Sequence, residues 1–146
     1  MTPAAMTVST TRVVHLDRVD HGVTKPAGGS RDLDAMLADA RTAEAEGARV
    51  LVVPAAPAAA PARRHWPATA QALAVLLATS SARVVVTVPA ASWEPAALAR
   101  FATSASGLAG GRLVVRVLGP GAETFAADLA ARWSGPVVVG DDDDLL

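Results

Sequence analysis

The run Ser81-Ala82-Arg83-Val84-Val85-Val86-Thr87-Val88-Pro89 decides how the rest of the chain is read. β-Branched residues without polar alternation describe a strand covered on both faces, the pattern of a parallel sheet. The same grammar recurs upstream in Gly47-Ala48-Arg49-Val50-Leu51-Val52-Val53-Pro54 and downstream in Gly110-Gly111-Arg112-Leu113-Val114-Val115. In each copy a small residue ends a helix, an Arg opens the strand and aliphatic residues follow. Two weaker copies bring the expected strands to five, at 12–16, 49–53, 83–88, 112–118 and 136–139. A repeat of roughly 25 to 35 residues suits one strand, one helix and the return.

Helical patterns fill the intervals. In the first, Ser30 is placed to cap, Asp32 and Asp34 fall in the first turn, and Leu33, Met36, Leu37 and Ala40 form one face before Gly47 stops it. The second is expected over 67–79, with Pro67 in its first turn and Leu73, Leu76 and Leu77 inward. The third starts at Ser92 and turns Trp93, Leu98, Phe101, Ala105 and Leu108 toward the sheet, until Gly107, Gly110 and Gly111 break it. The fourth carries Phe125, Leu129 and Trp133 at four-residue spacing and ends at Gly135. Strict alternation of this kind predicts an α/β fold, about five parallel strands with four helices, joined by right-handed crossovers.

Composition bounds the function classes. A chain of 146 residues, 51% hydrophobic and 18% charged, can bury a core as one domain, yet falls short of the ~250 residues of a closed eight-unit barrel. The expected fold is therefore a truncated TIM-barrel-like repeat occupying 12–140, with residues 1–11 as a disordered N-terminus and 141–146 as an acidic tail. A net charge of −1 without a basic face argues against nucleic acid. The absence of Cys excludes disulfides and Cys-based zinc or nucleophile sites. With no signal-like start and no long apolar span, the expectation is a cytoplasmic protein without membrane contact.

Candidate chemistry gathers at strand ends, where α/β proteins place ligands. The segment His15-Leu16-Asp17-Arg18-Val19-Asp20-His21 holds two His and two Asp after the first strand, but its spacing matches no metal-ligand motif, and no metal is assigned. His15, at the strand end, is the candidate catalytic group, against a structural, hydrogen-bonded histidine as the alternative. Arg116 interrupts an apolar run and needs an anionic ligand, a flavin carbonyl or an internal carboxylate, unless an uncovered sheet edge leaves it solvated. Thr87 makes a similar case on the third strand. Gly119-Pro120-Gly121-Ala122-Glu123-Thr124, with Asp141 about 20 residues on, partly imitates a dinucleotide fingerprint; an anion site at this helix N-terminus is the simpler reading. The Ala/Pro loop 54–61 follows the second strand and carries no reactive group.

From His65-Trp66-Pro67-Ala68 onward, through Ala82-Arg83-Val84-Val85-Val86, Glu94-Pro95-Ala96-Ala97-Leu98-Ala99-Arg100 and Gly107-Leu108-Ala109-Gly110-Gly111-Arg112-Leu113, the sequence resembles the luciferase-like, flavin-dependent monooxygenases, the alkanesulfonate monooxygenase branch in particular. The resemblance covers about 32–121, and its most specific part is Ala99-Arg100 to Leu113. It implies a (β/α) barrel that uses reduced FMN from a partner reductase, and O2, to oxidise a small molecule. The polar strand-four residue that touches flavin in such enzymes aligns with Arg116. His15, Thr87, Arg116, Gly119 and Gly121 would then surround the flavin. The other reading is a degenerate relative that serves as a non-enzymatic binding or assembly partner. Exposed strand edges lead us to expect a homo-oligomer or pairing with a full-length homologue.

Overall fold

Five valine-rich strands follow one another across a single sheet in the computed structural model, which describes residues 12–16, 28–55 and 67–146, with the side chains of 28–32 excepted. They are β1 (Val13–His15), β2 (Val50–Val53), β3 (Arg83–Pro89), β4 (Leu113–Leu118) and β5 (Val137–Val139). The helices are α1 (Gly28–Ala45), α2 (Ala68–Ala78), α3 (Pro95–Leu108) and α4 (Ala122–Ala130). Every neighbouring pair of strands is parallel and the order is β1-β2-β3-β4-β5. The expected disordered start, the segment from Asp17 to His21, His65, Trp66 and most of the Ala/Pro loop lie outside the described residues.

Alternation along each strand sorts the side chains onto two faces. Leu51, Val53, Val84, Val86, Val88, Leu113, Val115 and Val117 point to one side and pack against Met36 and Ala40 of α1, Ala72, Val75 and Leu76 of α2, Leu98 and Ala102 of α3, and Phe125 and Leu129 of α4. All four helices thus cover the same face. Sequential order with helices on one side is the wall of a barrel; a doubly wound sheet instead reverses its order and places helices on both sides. Among the described residues the strand order has no reversal, so Gly119 to Asp141 lies at no switch point of the kind the dinucleotide reading needs. The opposite, inner face carries a separate small cluster of Val50, Val52, Val85 and Val114.

Expectations about strand burial, helix starts and helix faces are corrected. The central strands are buried on both faces, but β1 and β5 are only partly so, since each has one strand neighbour among the described residues. Helix α1 begins at Gly28, so Ser30 lies inside it and cannot be its cap. In α2 the inward face is Ala72, Val75 and Leu76, while Leu77 is 64% exposed; in α3 it is Leu98, Ala99, Ala102 and Ala105, while Leu108 is 69% exposed. Small alanines let the helices approach the flat valine surface closely, and they outcompete the larger leucines for that position. Helix α3 also starts later than expected, at Pro95, because a 3-10 turn takes Ala90–Ser92.

The strand-opening arginines and an acid of α1 secure the amino edge of the sheet. Arg112 donates to the carbonyls of Leu76, Thr79, Ala82 and Ala109 and to the Thr79 hydroxyl, at 2.7–3.1 Å. It thereby satisfies carbonyls at the end of α2 that have no helical partner. Glu44 accepts from the backbone N–H groups of Ser80, Ser81 and Ala82, at 2.8–3.2 Å, and from the Ser80 hydroxyl. Burial pushes its carboxyl pKa up, but the hydrogen bonds from Ala82, Ser81 and Ser80 outweigh this and bring it down to about 2.

Candidate functional site

The inner face is where the polar strand residues meet. On β4, Arg116 follows the pleat between Val115 and Val117 and so faces away from the helices, and its register partner on β3 is Thr87. Both are buried, at 3% and 5% exposure. Thr87 Oγ1 and Arg116 Nε have no hydrogen-bond partner among the described residues. Two neighbouring buried polar atoms left unsatisfied cost roughly 1–3 kcal/mol each, so their retention points to a use beyond packing.

Part of Arg116 is answered from within the chain. After β5, residues 141–146 pass over the inner face, with a 3-10 turn at Asp143–Leu145. Arg116 Nη2 donates to Asp143 Oδ1 at 3.0 Å and makes a long contact of 3.5 Å with the Asp142 carbonyl. The other oxygen, Asp143 Oδ2, lies 2.7 Å from His15 Nε2. One carboxylate therefore joins β1 to β4, across the two strands between them. His15 first and then Arg116 hold the Asp143 carboxyl below its ordinary range. Leu146 packs against the inner valine cluster, and its carbonyl accepts from Arg83 at 2.8 Å.

The sequence-derived candidates now have places. His15 stands at the end of β1 with its side chain 55% exposed, on the inner face and in contact with Asp143. Thr87 and Arg116 are adjacent there as register partners on β3 and β4. The partner of Arg116 is the internal carboxylate that its burial left open as one answer. Gly119 and Gly121 form the turn from β4 into α4, both with left-handed φ of 87° and 79°, conformations that side-chain-bearing residues rarely adopt. Arg112 lies just before β4 and turns to the end of α2, where it takes no part in the inner face. Asp143 was missed: within a run of four aspartates nothing distinguishes it, and only the strap's path over the sheet selects it. Among the described residues no cluster of His, Cys, Asp and Glu could hold a metal ion. A second concavity, about 530 Å³, lies between α3 and α4 against Arg100, Thr103, Ser104 and Arg132, on the outer helix layer and away from the strand ends.

No family profile and no curated protein matches the chain. Solved structures do. It is similar to EDTA monooxygenase (EmoA) from Chelativorans sp. BNC1, with a TM-score of 0.57 and 18% identity over 90% of this chain and 33% of that one. It is similar also to apo-MsnO8, at 0.56 and 16% over 92% and 38%, and to riboflavin lyase (RcaE) with a modified FMN and riboflavin as substrate, at 0.53 and 18% over 87% and 32%. The chain thus has part of a TIM-barrel-like fold. It spans about a third of the length of these neighbours. Among the described residues no helix is long and apolar enough to cross a membrane.

Proposed function

We propose that this chain is a flavin-binding (β/α) unit of the luciferase-like monooxygenase kind, with FMN held on the inner face over the carboxyl halves of β3 and β4. The observation that carries this reading is the unsatisfied pair Thr87 Oγ1 and Arg116 Nε, buried in register on that face. The donor set fits the group. A hydroxyl and a guanidinium N–H both donate to flavin carbonyls or phosphate oxygens, and Val52, Val85 and Val114 supply an apolar wall. Gly119 and Gly121, at the amino end of α4, would let a phosphate approach the backbone closely.

When bound, FMN supplies the redox chemistry; the chain's part is to bind, orient and shield it. Arg116 contributes a fixed positive charge on the inner face. His15 Nε2 lies 2.7 Å from Asp143 Oδ2, so it would exchange a proton with a small-molecule substrate once Asp143 is displaced. The fold neighbours and the segment Ala99-Arg100 to Leu113 support the luciferase-like reading. Its alkanesulfonate-like branch rests on that segment and the flanking motifs alone. A partner reductase as the source of reduced flavin, and a cytoplasmic setting, belong to the same proposal.

Titration with oxidised and reduced FMN tests it. Binding is expected, with Thr87→Val weakening it several-fold and Arg116→Gln at least tenfold, since a charge-assisted bond contributes roughly 1.5–3 kcal/mol. No binding of either form at tens of micromolar sinks the reading. The partial satisfaction of Arg116 by Asp143 favours a second reading, a binding or assembly partner without catalysis. FMN-dependent turnover abolished by Arg116→Ala would count against that alternative.

A further inference from the structure

We propose that the inner face holds an exchangeable oxyanion site between His15 and Arg116, and that Asp143 fills it in place of the acid group of a small ligand, a phosphate or carboxylate. The argument does not require flavin. A buried guanidinium on one strand and an exposed imidazole three strands away converge on the two oxygens of one carboxylate, at 3.0 and 2.7 Å. Such a fork recognises any planar or tetrahedral oxyanion, whichever chain it belongs to. Two further donors, Arg116 Nε and Thr87 Oγ1, are buried beside it and have no partner among the described residues while Asp143 occupies the fork. A larger anion with a third oxygen could reach what the carboxylate leaves unmet.

The occupant is replaceable because little holds it. Asp143 is 41% exposed at its side chain, and among the described residues its segment is anchored to the sheet by that carboxylate, by the long contact of the Asp142 carbonyl with Arg116, by the Leu146 carbonyl on Arg83 and by the packing of Leu146. Asp141, Asp142 and Asp144 stay toward solvent. While docked, their charge repels an incoming anion, so withdrawal of the segment both vacates the fork and lowers that barrier. A tethered carboxylate competes at an effective concentration in the millimolar range. If it is docked about 90% of the time, it raises the apparent Kd of a free anion about tenfold.

Isothermal titration of the whole chain with inorganic phosphate, and in parallel with acetate, is the test. Asp143→Ala and Asp143→Asn are expected to bind phosphate at least about tenfold more tightly than the unaltered chain. Asp144→Ala removes the same charge from the same turn without touching the fork, and should leave the affinity unchanged. His15→Gln, at an exposed position where folding is not at stake, should erase most of the gain in the Asp143→Ala background. Affinities of both Asp143 variants within about twofold of the parent, or an equal gain in Asp144→Ala, overturn the proposal. Phosphate binding to Asp143→Ala with no FMN binding by any form supports this site and defeats the flavin reading. FMN binding that is sensitive to Thr87→Val, without any gain in the Asp143 variants, does the reverse.

Discussion

At the residue scale, Thr87 separates what the fold needs from what a ligand needs. Its hydroxyl is buried and has no partner among the described residues, so Thr87→Val, which keeps the shape and removes the orphan, is expected to stabilise the fold by about 1 kcal/mol in urea denaturation. The same change weakens flavin binding. Opposite movement of the two readouts marks a residue kept for a ligand; destabilisation would mean that its oxygen serves the fold. Glu44 behaves in the contrary way. Its carboxylate gathers three backbone N–H groups, so Glu44→Gln is expected to cost about 1–2 kcal/mol. Because its folded pKa, about 2, lies below the unfolded value of 4.5, its contribution is complete above pH 4.5 and is lost as pH falls toward 2. Acid titrations of the parent and Glu44→Gln should therefore converge below that window.

At the scale of elements, valine runs and helical spacing made all five strands and four helices legible, the central three strands because burial on both faces leaves no room for polar alternation. Helix faces were less legible. Of the expected inward leucines of α2, Leu76 faces the sheet and Leu73 packs partly buried against the core, but Leu77 is exposed and Ala72 and Val75 take the inner positions, since a helix over a valine surface is selected by fit as much as by greasiness. The site was partly legible: His15, Thr87 and Arg116 announce themselves as polar interruptions at strand positions, whereas Asp143 depends on a path no local pattern encodes. The connection between α4, which stops at Ala130, and β5 offers a test of packing. A Cβ at Gly135 would overlap the indole of the buried Trp133, so Gly135→Ala is expected to lower stability by about 1–3 kcal/mol, read as a shift in the urea midpoint. Arg112→Ala, which strands carbonyls of Leu76, Thr79 and Ala82, should cost about 2–3 kcal/mol in the same assay.

For the whole molecule, the outer strands decide association. Among the described residues β1 and β5 each pair on one side only, and edges with free backbone groups template further pairing. Sedimentation velocity is expected to show self-association, or a stable complex with a longer homologue, as concentration rises. A sharp monomer at high concentration would refute this. The unreversed strand order has another consequence, for how the chain is made. Each strand finds its neighbour in the segment just before it, so the sheet can lengthen step by step as synthesis proceeds, without waiting for distant sequence. The contact between His15 and Asp143 is different, closing a loop of 128 positions. On a nascent chain it can form only after all of the intervening sequence has been made, later than the pairing of β1 with β2.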